Sequence, residues 1–199
     1  MTDFSKIYYP LEIEGLTERL SDLVEIKQMK NSSLHSIGHG AKKIEVLIKE
    51  LQSFDICYLI DVRSKPYSKW HPQFNQKNLK IELEKNNITY VYMGDTLGGL
   101  PNEKSCYNEK GNIIYEILKE KDFFKEGLNR LITAHEKGVK AVIMCSESKP
   151  EACHRSKLIG QELLRKGISL NHILSERNSK SQDELMNSPE NANLFDNQK

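Results

Sequence analysis

The stretch "ICYLIDV", Ile56 to Val62, decides the fold. Its apolar run from Ile56 to Ile60 is too short for a helix and too continuous for a strand with one wet face, so it reads as a central parallel strand buried on both sides. Asp61 and Arg63 then fall just past its carboxyl end. Cys57, inside the run, is read as packing.

Working outward, short apolar runs alternate with segments of helical period, the pattern of an α/β domain. "SLHSIG" (Ser33 to Gly38) is a first strand, followed by a helix with Ile44, Leu47, Ile48 and Leu51 on one face. A helix around Leu79 and Leu83, the strand "ITYVY" (Ile88 to Tyr92), a helical segment from Ile113 to Leu118 and a longer one from Asp122 to Lys137 come next. Asp122 is the expected N-cap of that helix, Gly138 its stop, and His135 the edge of its packed face. "KAVIMC" makes a fourth strand ending at Cys145, and "SLNHI" (Ser169 to Ile173) a fifth. The expected architecture is a single domain with a sheet of about five mostly parallel strands flanked by helices, a Rossmann-like three-layer fold spanning residues 33–177. Residues 1–32, with Leu16, Leu20, Leu23 and Val24 on one face, read as an N-terminal helical extension packed on the domain. The Asn- and Ser-rich segment 178–199 reads as a disordered tail.

Composition narrows the class. At 199 residues, 38% hydrophobic and 29% charged, the chain is globular and polar, with no apolar run long enough to cross a bilayer. "MTDFSKIYYPLEIEG" lacks the basic and apolar parts of a secretion signal, so a cytoplasmic protein with reduced cysteines is expected. The net charge of +1 gives no global field to attract nucleic acid, so such a partner must be held by a local patch.

In open parallel sheets ligands bind beyond the strand carboxyl ends. The unusual residues gather there: His39 in "GHG" after strand one, Asp61, Arg63 and Ser64 in "DVRS" after strand two, Asp95, Gly98 and Gly99 in "GDTLGG" after strand three, and Cys145 and Glu147 in "CSE" after strand four. "SIGHG", "DVRSKPYSKWHPQF", "ITYVYMGDTLGGLP" and "MCSESKPEACHRSKLIGQELLRKGISLNHI" resemble, in order, the successive motifs of the domain-of-unknown-function family 488 (DUF488). The resemblance implies an α/β fold with a catalytic or ligand site built from these loops, and it leaves the reaction open. Gly40 and Lys69 depart from the residues usual in the family, a serine or similar small residue and an arginine respectively. The second difference bears on phosphate binding, because lysine lacks the bidentate fork of arginine.

"MCSESKPEACHR", Met144 to Arg155, supplies the chemistry. Ser148 and Glu151 have capping-box spacing and Pro150 suits a first turn, so a helix is expected to begin there with Cys153 in its first turns. Its positive end would stabilise a thiolate or bound anion. The expected function is an enzyme acting on a phosphate-bearing substrate, a nucleotide or nucleic acid. Cys145 is its candidate nucleophile, His39, Glu147 and His154 move protons, and Arg63 and Arg155 hold the anion. The alternative is a non-catalytic nucleotide or nucleic-acid binding module using the same pocket. Trp70, in a loop that interleaves Lys65, Lys69, Lys77 and Lys80 with Tyr67 and Phe74, suits base stacking or a lid. A cysteine phosphatase loop is excluded by Glu151, which stands where its arginine belongs. A zinc hydrolase built on Cys145, Cys153, His154 and His39 is the second alternative. It lacks a Cys-x-x-Cys knuckle, and neighbouring Cys153 and His154 on a helix would point about 100° apart. No cofactor is therefore expected.

Overall fold

The computed structural model describes residues 33–188. The expected helix in 1–32 lies outside the described residues, as does the last part of the tail.

Six strands form one sheet in the order β3-β2-β4-β1-β5-β6. They are β1 (Leu34–Gly38), β2 (Tyr58–Asp61), β3 (Thr89–Tyr92), β4 (Ala141–Cys145), β5 (Asn171–Ser175) and β6 (Asn178–Ser181). The first five are parallel and β6 is antiparallel to β5. The helices are α1 (Ile44–Gln52), α2 (Gln76–Lys85), α3 (Tyr115–Leu118), α4 (Asp122–Glu136), α5 (Gln161–Leu164) and α6 (Gln182–Met186). A π-helical turn, Arg155–Gly160, leads into α5.

Alternation along the strands builds the three layers. On β4, Ala141, Ile143 and Cys145 join the core under α4 and the helix carrying Leu158, Ile159 and Leu163. Val142 and Met144, on the other side, join the core under α1 and α2, where Leu47, Leu51, Leu79, Leu83 and Phe74 are buried. Among the described residues, no helix is long and apolar enough to cross a membrane.

The five expected strands and their helices are present, with local corrections. β2 begins at Tyr58, so Cys57 is exposed, not packed, and Tyr58 is 40% exposed. Lys121, in extended conformation, is the residue before α4, and Asp122 stands inside the first turn, where its charge meets the positive helix end. Gly138 at φ +65° ends that helix as expected. The largest correction concerns the segment from 178, expected as disordered: it forms β6 and α6. Its anchor is Gln182, which is fully buried. Gln182 donates its backbone N–H to Leu170 O at 2.8 Å, and its side-chain oxygen lies 2.7 Å from His172 Nε2. Gly160 makes room for it, since a Cβ there would sit 2.3 Å from Gln182 Oε1.

Candidate active site

β4 lies between β2 and β1, with Cys145 opposite Gly38 and Met144 opposite Asp61. The loops after these three strands therefore meet at one end of the sheet. Gly38 permits the closest approach, because a Cβ there would stand 1.9 Å from Glu147 O. Gly40, at φ +50°, leaves to Ser148 Oγ the space a side chain would need.

The expected single helix from Ser148 does not form. Pro150–Ala152 is a 3-10 turn without a side-chain cap, and Cys153 is extended at φ −118°, ψ 147°. Helical bonding begins at Cys153, whose carbonyl accepts from Ser156 N at 3.1 Å and Lys157 N at 3.0 Å. This break removes the geometric objection to convergence of Cys153 and His154. Cys145 Sγ donates to Glu147 Oε2 at 2.7 Å and Cys153 Sγ to the same oxygen at 3.1 Å. His154 Nδ1 lies 3.6 Å from the first sulfur and 3.7 Å from the second. One ligand-type atom from each of the four side chains falls within 4.8 Å of the others.

The cluster forms a wall of a cavity of about 310 Å³ whose other walls include Arg63, Ser64, Lys65, Gly99, Leu100 and Tyr115. The His154 ring packs on Gly99, where a Cβ would be 2.9 Å from the ring. Cys153 is held down to about 5, first by the hydrogen bond with Cys145, then by His154 and Arg155, against the effect of burial. The same bond pushes Cys145 up, together with burial and the negative charge of Cys153 and Glu147. Burial opposes the charge of Glu147, yet hydrogen bonds from both thiols keep its carboxyl below the ordinary range. Of the two cysteines, Cys153 is thus the thiol that ionises more easily, and while both are protonated both donate to Glu147. Burial, followed by the charges of Cys153, Cys145 and Glu147, raises Tyr115 to about 12, so its phenol stays a proton donor.

Of the other expected site residues, Arg63, Ser64 and Gly99 line the cavity, whereas Asp61, His39, Arg155, Asp95, Gly98 and Trp70 are outside its lining. Asp61 is fully buried and binds Arg63 through both oxygens, Nε to Oδ1 at 2.8 Å and Nη2 to Oδ2 at 2.6 Å. Arg63 also donates to Phe74 O at 2.8 Å and reaches His39 Nε2 at 3.3 Å. It touches the cavity with most of its donors already committed. Arg155, 1% exposed, is absent from the lining. It donates to Glu147 O and Ser148 O at 2.6 and 3.0 Å, which commits these two donors to the loop. His39 stacks on Phe74 at 4.3 Å and bonds Gly40 O at 2.9 Å. Burial lowers it to about 4, and it too is outside the lining. Ser64 Oγ accepts from Leu100 N at 2.8 Å, and Gly98 admits that hydroxyl, since a Cβ there would lie 2.4 Å away. Asp95 is exposed and accepts from Thr96 N at 3.0 Å. Trp70 is 88% exposed and Lys69 is exposed, both away from the cavity, whereas Phe74 is buried and pins the loop.

Sequence reasoning took Cys145, not Cys153, as the candidate nucleophile and did not single out Tyr115. The "CHR" spacing signals the first only if the helix breaks before His154, and nothing in the α3 pattern signals the second.

The family model "Domain of unknown function DUF488" matches residues 43–161, more than half of the chain. The chain belongs to the DUF488 family. The match takes in Arg63, Gly99, Tyr115 and the whole Cys145–His154 cluster, while the "SIGHG" and "SLNHI" motifs fall outside it. No curated protein and no solved structure matches the chain.

Proposed function

We propose that this DUF488 protein is a cytoplasmic enzyme using Cys153 as a thiolate nucleophile on a phosphate-bearing substrate, a nucleotide or a nucleic-acid end. The observation that carries the reading is the convergence of two thiols on one carboxylate oxygen and one imidazole, at the wall of a cavity large enough for part of a nucleotide. In this reading Cys153 gives its proton to Glu147 or His154, and the Cys145 thiol turns its S–H from Glu147 to the Cys153 thiolate. Lys65 and the uncommitted edge of Arg63 are the cations that favour an anionic substrate.

The test is alkylation of chelator-treated protein in a Cys57→Ser background, with the modified residue found by peptide mapping. Cys153 is expected to react first, and Cys145→Ala to slow it by removing its donor. Equal, slow modification of Cys145 and Cys153 overturns the proposal.

A second reading, binding of single-stranded nucleic acid without catalysis, is favoured by one observation. Tyr67 and Trp70 are 68% and 88% exposed in the loop that also carries Lys65 and Lys69. Trp70 fluorescence that ignores both nucleotides and oligonucleotides removes it.

A further inference from the structure

We infer that Cys145, Cys153, His154 and Glu147 form a binding site for one thiophilic divalent cation of the zinc class. The donor set is two sulfurs, one imidazole nitrogen and one carboxylate oxygen, which suits zinc and excludes magnesium and calcium as natural occupants. Spacing supports it independently of composition. Zinc–sulfur and zinc–nitrogen bonds of about 2.3 and 2.05 Å at the tetrahedral angle place sulfur and nitrogen about 3.6 Å apart. The two sulfurs stand 3.6 and 3.7 Å from His154 Nδ1. Glu147 Oε2 is closer to the sulfurs, at 2.7 and 3.1 Å, because it accepts their protons; a metal takes the place of those protons and the carboxylate recedes.

The ligands are also held for the purpose. Cys145 is fixed by the end of β4, and Cys153 by the extended break before the π-helical turn. The His154 ring is seated on Gly99, and the Glu147 backbone is tied down by Arg155. Glu147 reaches solvent and is the exchangeable fourth ligand, leaving two cysteines and a histidine as the permanent set. Binding releases the thiol protons to solvent and converts both sulfurs to metal-bound thiolates. The loaded form therefore has no free nucleophile, so zinc silences the thiol chemistry proposed above. The site is the same as in that reading, but the metal inference does not require that the thiol reaction exist.

Chelator-treated, reduced protein titrated with cobalt(II) tests this directly. One ion per chain is expected, with thiolate-to-cobalt charge-transfer absorption and the intense visible bands of a tetrahedral ion, both erased by added zinc. Cys153→Ser and Cys145→Ser should each lose charge-transfer intensity, whereas Cys57→Ser should not. Because a cysteine variant can misfold, wild-type protein is also alkylated with and without zinc, and zinc should protect Cys145 and Cys153 together. Absence of charge-transfer absorption, protection of neither cysteine, or bands unchanged in both cluster variants overturns the inference. Alkylation of metal-free protein reads the thiol reactivity separately, so either idea can fail alone.

Discussion

Arg63 and Asp61 show how a residue chosen for its chemistry can be occupied by its neighbours. Their side chains are 4% and 0% exposed and joined by two hydrogen bonds, with Tyr90 Oη donating to Asp61 Oδ2 at 2.8 Å. A buried charge pair broken on one side leaves the other charge uncompensated, at a cost of about 3–5 kcal/mol. Asp61→Asn is therefore expected to lower unfolding free energy by about that amount in urea titrations. A Cys57→Ser exchange at the exposed thiol should change it by less than about 0.5 kcal/mol. If Asp61→Asn were as mild as Cys57→Ser, the pair would not be the organiser of these loops. Cys145 and Cys153 teach the complementary lesson: residue type and spacing place both near the strand end, but which of them ionises more easily depends on the contact between the two sulfurs, a relation only the folded loop creates.

At the scale of elements, two stretches share the Ser-x-x-Glu spacing of a capping box, Ser148 to Glu151 and Ser181 to Glu184. Only the second forms it: Ser181 Oγ accepts from Glu184 N at 3.1 Å, and Glu184 Oε2 accepts from Ser181 N at 2.9 Å. In the first, Ser148 O is taken by Arg155 and its hydroxyl lies over Gly40, so the loop follows tertiary contacts. Ser181→Ala should cost about 1 kcal/mol of stability. Ser148→Ala, judged as a cap, should cost much less, and the comparison is read from thermal midpoints. The strands were legible because β2 and β4 lie in nearly continuous apolar runs and their period differs from that of α1, α2 and α4. What stayed hidden was the non-local part. A polar segment from 178 has no apolar stripe to announce that one buried Gln182 docks it. Nor does a Cys-His pair announce the extended residue that lets both side chains face one point.

For the whole molecule, buried histidines set the response to acid. His35 is lowered to about 4, by burial first and then by Lys140 against a backbone bond to Ser33. His172, enclosed by Ser36 and Gln182 with Arg155 nearby, is lowered to about 3, again chiefly by burial. Unfolded, both titrate near 6.5. Between about pH 6.5 and 4 the unfolded chain thus binds protons that the native chain refuses, and stability must fall as pH falls. Denaturant midpoints measured at steps from pH 7 to 4.5 should decline through that window, and the decline should be shallower in His172→Asn, provided that variant folds at pH 7. A flat profile would mean that both rings protonate in place.

The sixth strand has a further consequence for the molecule in company. β6 runs antiparallel along β5, so the backbone donors and acceptors on that side of the parallel sheet are already taken. A chain ending near residue 177 would keep its cavity residues yet offer β5 as an open template to its neighbours. The polar segment from 178 thus shifts that edge of the sheet from β5 to the short, polar strand β6, a poorer template for a neighbouring copy.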